Sequence, residues 1–175
     1  MLKNILILAV ILITAALMYA ATKSDTFRVQ RTATIAAPPE KVFRLIQDLH
    51  QWASWSPWEK MDPAMKKTYS GAPQGTGAAL EWDGNNDVGT GRMEIVSTVP
   101  SSRVVIKLDF LKPFEAHNQA EFTLEGGGTA TTLTWAMHGP QPFMMKVMDL
   151  VIGMDKMVGK DFETGLANLK QLAEQ

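Results

Sequence analysis

The sequence contains no cysteine among its 175 residues, which excludes disulfides, thiolate nucleophiles and cysteine-based metal sites. It also lacks an excess of positive charge. The formal net charge is −1, and without Lys3 and Lys23, 15 of the 17 basic residues remain against 18 acidic ones. A nucleic-acid-binding domain usually shows a basic patch or stripe, and none is visible here. We therefore expect neither DNA nor RNA as a partner.

The sequence is also poor in motifs for catalysis or for cofactor binding. Its three histidines, His50, His117 and His138, fall on different predicted elements, which does not favour a three-histidine metal site. The glycines within 71–77 and 89–91 are not followed by a helix, so a phosphate cradle is not indicated. We expect no cofactor, no metal ion and no catalytic residue.

One long uncharged run stands out, at residues 5–21, where 17 residues follow a lone Lys3. A helix of that length spans about 26 Å, close to the roughly 30 Å of a bilayer's hydrocarbon core. A cleaved signal peptide is the alternative, although the small-residue pattern of a cleavage site is poor. We interpret 1–24 as a single-pass membrane anchor and 25–175 as one soluble domain.

The charges that flank this run do not decide its orientation. Lys3 lies on one side, and Lys23, Arg28 and Arg31 lie on the other. A short N-terminal tail before an apolar run usually leads to export of the domain that comes after the run. We therefore expect an extracytoplasmic domain, periplasmic if the source is bacterial.

The remaining chain shows one strand, one or two helices, six strands and a long helical stretch. Alternating residues predict a strand at 27–35, and Pro38 and Pro39 favour the start of a helix that runs to about His50. The helical stretch covers about 143–172, and a kink near Gly153 would divide it into two helices. Short turn-rich links between the six strands indicate an antiparallel meander. These strands are predicted at 66–70, 78–83, 89–99, 103–110, 117–124 and 131–138.

Four stretches give the sequence a family resemblance: 35–43, 52–58, 110–114 and 154–162 with its continuation to Leu169. The chain resembles polyketide-cyclase/dehydrase-type members of the START and pollen-allergen superfamily, often labelled SRPBCC. The resemblance implies an α+β helix-grip fold, in which a curved antiparallel sheet of about seven strands wraps around a long C-terminal helix. Because that superfamily contains lipid carriers, hormone receptors and cyclases, the fold does not fix the function.

In such a fold one face of the sheet looks towards the long helix and a cavity. Strand alternation places apolar side chains on that face and the strand carboxylates on the other, with Asn118 as the one clear polar member inside. Glu59, beside Trp58, is the one carboxylate expected near a cavity mouth, and we interpret it as a surface group. The expected ligand-binding residues are Trp55, Trp58, Trp82, Ile106, Phe110, Asn118, Phe122, Trp135, Met137, Met154 and Val158.

The tryptophans and methionines allow two interpretations. Trp52, Trp55 and Trp58 pack short helices onto the sheet in one interpretation. In the other, Trp55 or Trp58 lines the cavity mouth with Trp82 and Trp135 as an aromatic wall. The methionines of the C-terminal stretch, Met154 among them, either fill the core or form an adaptable lining. Both aromatic and methionine linings suit an acyl chain, a sterol or a polyketide-like ring.

Three functions are therefore compatible with the sequence. The first is a membrane-tethered, non-catalytic module that binds a lipid or another hydrophobic small molecule. The second is an enzyme similar to a polyketide cyclase or dehydratase, which would need a buried acid–base pair. The third is a structural or protein-interaction domain whose cavity is filled by side chains. The oligomeric state stays open.

Overall fold

The computed structural model describes residues 2–175, except the side chains of Ile152, Met154 and Met157. An N-terminal helix precedes an α+β domain. The helices are α1 (Leu2–Thr22), α2 (Pro39–Gln47), α3 (Trp58–Met61), α4 (Phe143–Ile152) and α5 (Met154–Ala173), with a 3₁₀ helix at Gln51–Ser54. The strands are β1 (Thr26–Ile35), β2 (Lys66–Gly71), β3 (Ala78–Asp83), β4 (Thr90–Val99), β5 (Arg103–Lys112), β6 (Ala116–Gly127) and β7 (Ala130–Pro140).

The strands form one seven-stranded antiparallel sheet in the order β1-β7-β6-β5-β4-β3-β2. The register pairs Ile106 with Ala120, and Phe122 with Trp135, so apolar side chains of neighbouring strands lie side by side on one face. Helices α2 and α5 pack against this sheet. The predicted helix-grip fold is confirmed.

The predicted elements match the observed ones in kind and in order. Pro39 occupies the first turn of α2, where its missing N–H costs no helical hydrogen bond. The predicted kink at Gly153 is a complete break, because its φ of 76° ends α4 before α5 begins. The segment after α2 forms a short 3₁₀ helix and does not continue as an α-helix.

Helix α1 is joined to α4 by a small polar network. The Lys23 ammonium group pairs with the Asp149 carboxylate. The nearly buried Lys146 Nζ donates to the Lys23 carbonyl over 2.9 Å and to Asp25 Oδ1 over 2.6 Å. Hydrogen bonding to Lys146 lowers the pKa of Asp25. The junction between α1 and the domain is therefore fixed by charge-assisted contacts.

Helix α1 is long and apolar enough to cross a membrane. It has 21 residues and a mean hydropathy of 2.5, and only 6% of its apolar window is buried. Within residues 2–175 one helix meets this description. A signal sequence has the same length and composition.

Several chain segments meet at one end of the sheet, which we call the anchor-proximal end. Here β1 begins at Thr26, opposite Pro140 at the end of β7. The turn at 113–115 between β5 and β6 lies at the same end, because Phe110 pairs with Ala116. The end of α1, the β5–β6 turn and the start of α4 therefore lie on the same side of the domain.

Candidate ligand-binding interior

An aromatic cluster occupies the space between the sheet and the helices. At its centre is Trp135 of β7, whose ring is stacked on Phe162 of α5 with centroids 4.0 Å apart and planes 9° apart. Aromatic pairs of this kind add about 0.5–1.5 kcal/mol beyond their buried area. The other rings around Trp135 are Phe122 at 4.9 Å, Trp55 at 5.7 Å, Trp58 at 5.8 Å and Trp52 at 6.4 Å.

A glycine of α5 gives the Trp135 ring its position. A Cβ at Gly165 would lie 2.7 Å from Trp135 Cζ3, closer than a real contact allows. Gly165 is three residues after Phe162, so both face the sheet from one side of the helix. Neither Gly165 nor Phe162 was among the ligand-binding residues predicted from the sequence. The i, i+3 spacing of Phe162 and Gly165 was the signal in the sequence that could have indicated a shared contact with the sheet.

The tryptophans of the cluster differ in how their indole N–H groups are satisfied. Trp52 Nε1 donates to the Ile46 carbonyl over 2.9 Å, and Trp55 Nε1 donates to the Leu45 carbonyl over 3.1 Å. Trp135 Nε1 is buried and has no hydrogen-bond partner within the described part of the chain. An unsatisfied buried donor costs about 1–3 kcal/mol. The centre of the apolar interior therefore holds an unused hydrogen-bond donor.

Trp82 and Phe110 form a separate aromatic pair farther along the sheet. Their rings meet edge to face with centroids 5.8 Å apart. Gly91 on the intervening strand β4 makes room for this contact, since a Cβ there would lie 2.4 Å from Trp82 Cζ2. The aromatic side chains thus form a central cluster around Trp135 and this separate lateral pair.

The predicted wall residues also differ in burial. Ile106, Phe122 and Trp135 are almost fully buried, as are Trp55, Trp82 and Met137. The remaining ones are half-buried: Trp58, Phe110, Asn118 and Val158. The side chain of Met154 lies outside the described residues.

The half-buried wall residues lie towards the anchor-proximal end. Phe110 is near the end of β5, and Asn118 is near the start of β6. A Cβ on the neighbouring Gly139 would lie 2.1 Å from Asn118 Oδ1, so the side chain of Asn118 rests against that glycine. The interior is therefore tightly packed at its centre and less covered at this end.

Among the described residues, two surface clefts stand out, and neither is lined by a predicted ligand-binding residue. One, of about 190 Å³, has His50 and Tyr69 among its lining residues, whose rings stack at 4.0 Å. The other, of about 340 Å³, lies along Phe27, Arg28 and His138 beside β1 and β7.

The strand carboxylate Asp109 lies on the outer face of the sheet, as strand alternation predicted, whereas Asp161 of α5 is half-buried and burial raises its pKa. On the outer face, Asp109 accepts hydrogen bonds from Lys107 at 2.8 Å and from His117 Nδ1 at 2.7 Å. The bond from Lys107 lowers the pKa of Asp109, and Asp109 in turn raises the pKa of His117. Glu59 accepts from Lys67 Nζ at 2.7 Å through both oxygens.

The described residues contain no group of three or more His, Cys, Asp or Glu side chains that could hold a metal ion. The chemical character of the interior is therefore set by aromatic and aliphatic side chains and by the unpartnered indole N–H of Trp135. Such a site offers shape, apolar surface and a hydrogen-bond donor to a ligand.

Solved structures share this fold. Protein CV1439 from Chromobacterium violaceum is 18% identical with a TM-score of 0.59, covering 86% of this chain and 98% of its own. The Aha1 dimer from Colwellia psychrerythraea is 15% identical with a TM-score of 0.56, covering 85% and 96%. The di-domain ARO/CYC StfQ from the steffimycin biosynthetic pathway is 13% identical with a TM-score of 0.62, covering 85% and 51%. These similarities establish the fold.

Comparison with curated proteins finds no match. The family model described as "Polyketide cyclase / dehydrase and lipid transport" matches residues 26–174, which is nearly the whole domain after α1. The apolar interior enclosed by the sheet and helices agrees with that match. The chain therefore belongs to the polyketide cyclase/dehydrase and lipid transport family.

Proposed function

We propose that this chain is a membrane-tethered protein that binds one hydrophobic small molecule, a lipid or a lipid-like compound, without transforming it. The observation on which the proposal rests is the unpartnered indole N–H of Trp135 at the centre of an otherwise apolar cluster. A bound molecule with an apolar body and one oxygen acceptor would satisfy this donor. The family description, which includes lipid transport, supports the same ligand class.

The hydrogen bond sets the expected selectivity of the site. A net contribution of about 0.5–1.5 kcal/mol corresponds to a two- to tenfold preference for a ligand with an acceptor over a pure hydrocarbon. The aromatic and aliphatic surroundings contribute apolar contact, which is less selective. A long-chain alcohol, ester or ketone fits this description better than an alkane or a highly charged molecule.

Access to Trp135 requires that a side chain moves, and Trp58 is the best candidate. It is half-buried and meets Trp135 only edge to face, at 5.8 Å. It also begins α3, a helix of only four residues, so its displacement disturbs little other structure. We therefore place the route to the interior beside Trp58, Phe110 and Val158, at the anchor-proximal end.

The non-catalytic part of the proposal is supported by the positions of Asp109, His117 and Glu59. General acid–base catalysis needs a positioned proton donor or acceptor at the reacting atom. Asp109 and His117 lie on the outer face of the sheet, and Glu59 is bonded to Lys67. The aromatic cluster around Trp135 and the lateral pair of Trp82 and Phe110 include neither an acid nor a base.

The proposed tether is α1, which would place the binding domain next to the bilayer where its ligand partitions. Its apolar length and its salt bridge from Lys23 to Asp149 support a role as a retained anchor joined to the domain. We propose the extracytoplasmic side for the domain, the usual outcome for a short N-terminal tail before an apolar run.

A second candidate is a protein-interaction domain with a permanently filled interior. The close stack of Trp135 on Phe162 favours this alternative, because it leaves no gap between the sheet and α5 at that point. The two candidates differ in whether a small molecule ever occupies the interior.

Mass spectrometry of the full chain, extracted from membranes in a mild detergent, tests the proposal. We expect one hydrophobic molecule per chain, with an occupancy that falls two- to tenfold in Trp135→Phe. The matched control is Trp55→Phe, which loses an N–H already bonded to Leu45 and should retain the molecule. Equal occupancy in all three proteins would indicate lipid held around α1 only, and would favour the second candidate.

A further inference from the structure

Helix α4 has its charged and apolar faces in an unusual arrangement. Its exposed residues are apolar, with Val151 84% exposed and Phe143, Met144 and Met148 also exposed. Its charged residues, by contrast, face the domain: the side chain of Lys146 is only 7% exposed. A helix on a water-facing surface normally has the reverse arrangement.

The exposed residues of α4 form one continuous stripe. The exposed positions 143 and 151 lie on one i+4 row with the half-buried Val147 between them, and the exposed positions 144 and 148 form the adjacent i+4 row. The opposite side of the helix contains Lys146 and Asp149, which are held by Asp25 and Lys23. These ion pairs hold α4 in one rotation about its axis, so the apolar stripe faces away from the domain.

The stripe is continuous with α1 at the anchor-proximal end. Helix α1 packs on α4, and the apolar residues of α1 are exposed along nearly its whole length. At the same end of the sheet, the β5–β6 turn exposes Phe114, which is 70% exposed. The apolar stripe of α4 and the exposed ring of Phe114 thus both lie at the end of the domain that α1 joins.

We propose that α4 and the β5–β6 turn dock on the bilayer surface, with the apolar stripe of α4 and the ring of Phe114 in the lipid interface. Burying the stripe in lipid removes its apolar surface from water, while Lys146 and Asp149 keep their partners on the protein side. This inference rests on the proposed membrane tether. The docking would also fix the orientation of the domain, with its less covered, anchor-proximal end directed towards the lipid.

This orientation has a consequence for the proposed ligand. The half-buried wall residues Phe110 and Asn118 lie at the docked end, so a hydrophobic molecule would pass between bilayer and interior without crossing water. The occupant of the α4 stripe is therefore the acyl-chain and headgroup boundary of a bilayer. A second copy of the chain is the competing occupant, to be recognised in the test.

The natural absence of cysteine makes spin labelling direct. Single-cysteine variants of the full chain, Val151→Cys, Val99→Cys and Ile11→Cys, are labelled and reconstituted in phosphatidylcholine vesicles. Val99 is the matched control, because it is also an exposed valine but lies at the far end of β4. Accessibility to oxygen, which partitions into lipid, is compared with accessibility to a water-soluble nickel chelate.

We expect the labels at 151 and 11 to favour oxygen and the label at 99 to favour the nickel chelate. A label at 151 that behaves like the label at 99, while the label at 11 is in lipid, would overturn the docking and leave the tether intact. A label at 11 exposed to water would overturn the tether itself. Dipolar broadening between labels at 151, present only when the chains are undiluted with unlabelled protein, would identify a second copy as the occupant and also overturn the docking.

A polar substitution gives an independent check. Met144→Glu places a charge on the exposed stripe without touching Lys146 or Asp149, and should shift the 151 label towards the nickel chelate at least severalfold. Val99→Glu, at the opposite end of the sheet, should leave the 151 label unchanged. Equal effects of both substitutions would contradict the docking.

Discussion

The indole ring of Trp135 lies parallel to the phenyl ring of Phe162, with centroids 4.0 Å apart, and joins β7 to α5 across the interior. The stack connects the last strand of the sheet to the long helix that packs on it. Phe162 is 2% exposed, so the contact is also shielded from water. This relationship determines how the interior is packed and how far it must rearrange to receive a ligand.

Removing the Phe162 ring should destabilise the domain strongly. Phe162→Ala deletes a buried aromatic side chain and leaves a cavity beside Trp135, which typically costs about 3–5 kcal/mol. Phe114→Ala, at an exposed position, should change the free energy of unfolding by less than about 0.5 kcal/mol. Denaturant unfolding in detergent, followed by circular dichroism, measures both. A loss below about 1 kcal/mol for Phe162→Ala would contradict the tight packing of the stack.

Gly165 should be required for its small size. Gly165→Ala improves helix propensity by about 1 kcal/mol, but its Cβ would lie 2.7 Å from Trp135 Cζ3. Because such overpacking costs about 1–3 kcal/mol, we expect net destabilisation. The control is Gly127→Ala, where nothing lies within 4 Å of the added Cβ. A more stable Gly165→Ala protein would show that the Trp135 ring is free to move.

Gly159 and Arg31 should be energetically coupled. Arg31 bonds to Asp155 at 2.9 Å and to Glu163 at 2.6 Å, and a Cβ at Gly159 would lie 2.0 Å from its guanidinium Nη2. Gly159→Ala therefore displaces Arg31 from its carboxylates. In an Arg31→Ala background the same change meets no obstacle and should stabilise α5 by up to about 1 kcal/mol.

A double-mutant cycle measures this coupling through unfolding free energies. We expect Gly159→Ala to be more favourable by about 1 kcal/mol in the Arg31→Ala background than in the natural chain. The modest size follows from the exposure of the Asp155 and Glu163 side chains, since exposed ion pairs contribute little. Additive effects within about 0.3 kcal/mol would contradict the contact.

The His117–Asp109 pair should give the domain a measurable pH response. The hydrogen bond to Asp109 raises the pKa of His117 above its ordinary value of about 6.5. The contribution to stability is therefore present below about pH 6.5 and is lost as pH rises through the folded pKa. Lys107 and His117 lower the pKa of Asp109, so its contribution is lost only as pH falls through that lowered value.

Proton NMR of the His117 ring monitors this titration directly. Asp109→Asn should bring the pKa of His117 back down, while Glu125→Gln, farther along β6, should leave it unchanged. An unchanged pKa in Asp109→Asn would assign the shift to another group.

Much of the fold could be predicted from the sequence, because the sequence patterns that indicate it are local. Alternation predicted β1, turn-rich links separated the six later strands, and Gly153 indicated where the C-terminal helical stretch divides. The same alternation separated the buried Ile106 and Phe122 from the outward Asp109 correctly. These features depend on neighbours along the chain, so a single sequence contains them.

The packing of the interior could not be predicted in the same way, because it depends on contacts between segments that are distant in the sequence. The stack of Trp135 on Phe162 joins residues of β7 and α5, and the room for it is supplied by Gly165. The unpartnered N–H of Trp135, in contrast to the bonded N–H of Trp55, results from the backbone positions around each ring. No periodicity in the sequence reports such a difference.

The indole N–H of Trp135 offers the most direct test of ligand binding in the interior. The full chain is labelled with ¹⁵N, placed in lipid nanodiscs and titrated with hexadecan-1-ol or with hexadecane. We predict that the alcohol shifts the Trp135 indole resonance downfield, leaves that of Trp55 in place, and binds about two- to tenfold more tightly than the alkane. A Trp135 resonance that is unmoved at saturating alcohol would contradict a ligand-binding interior.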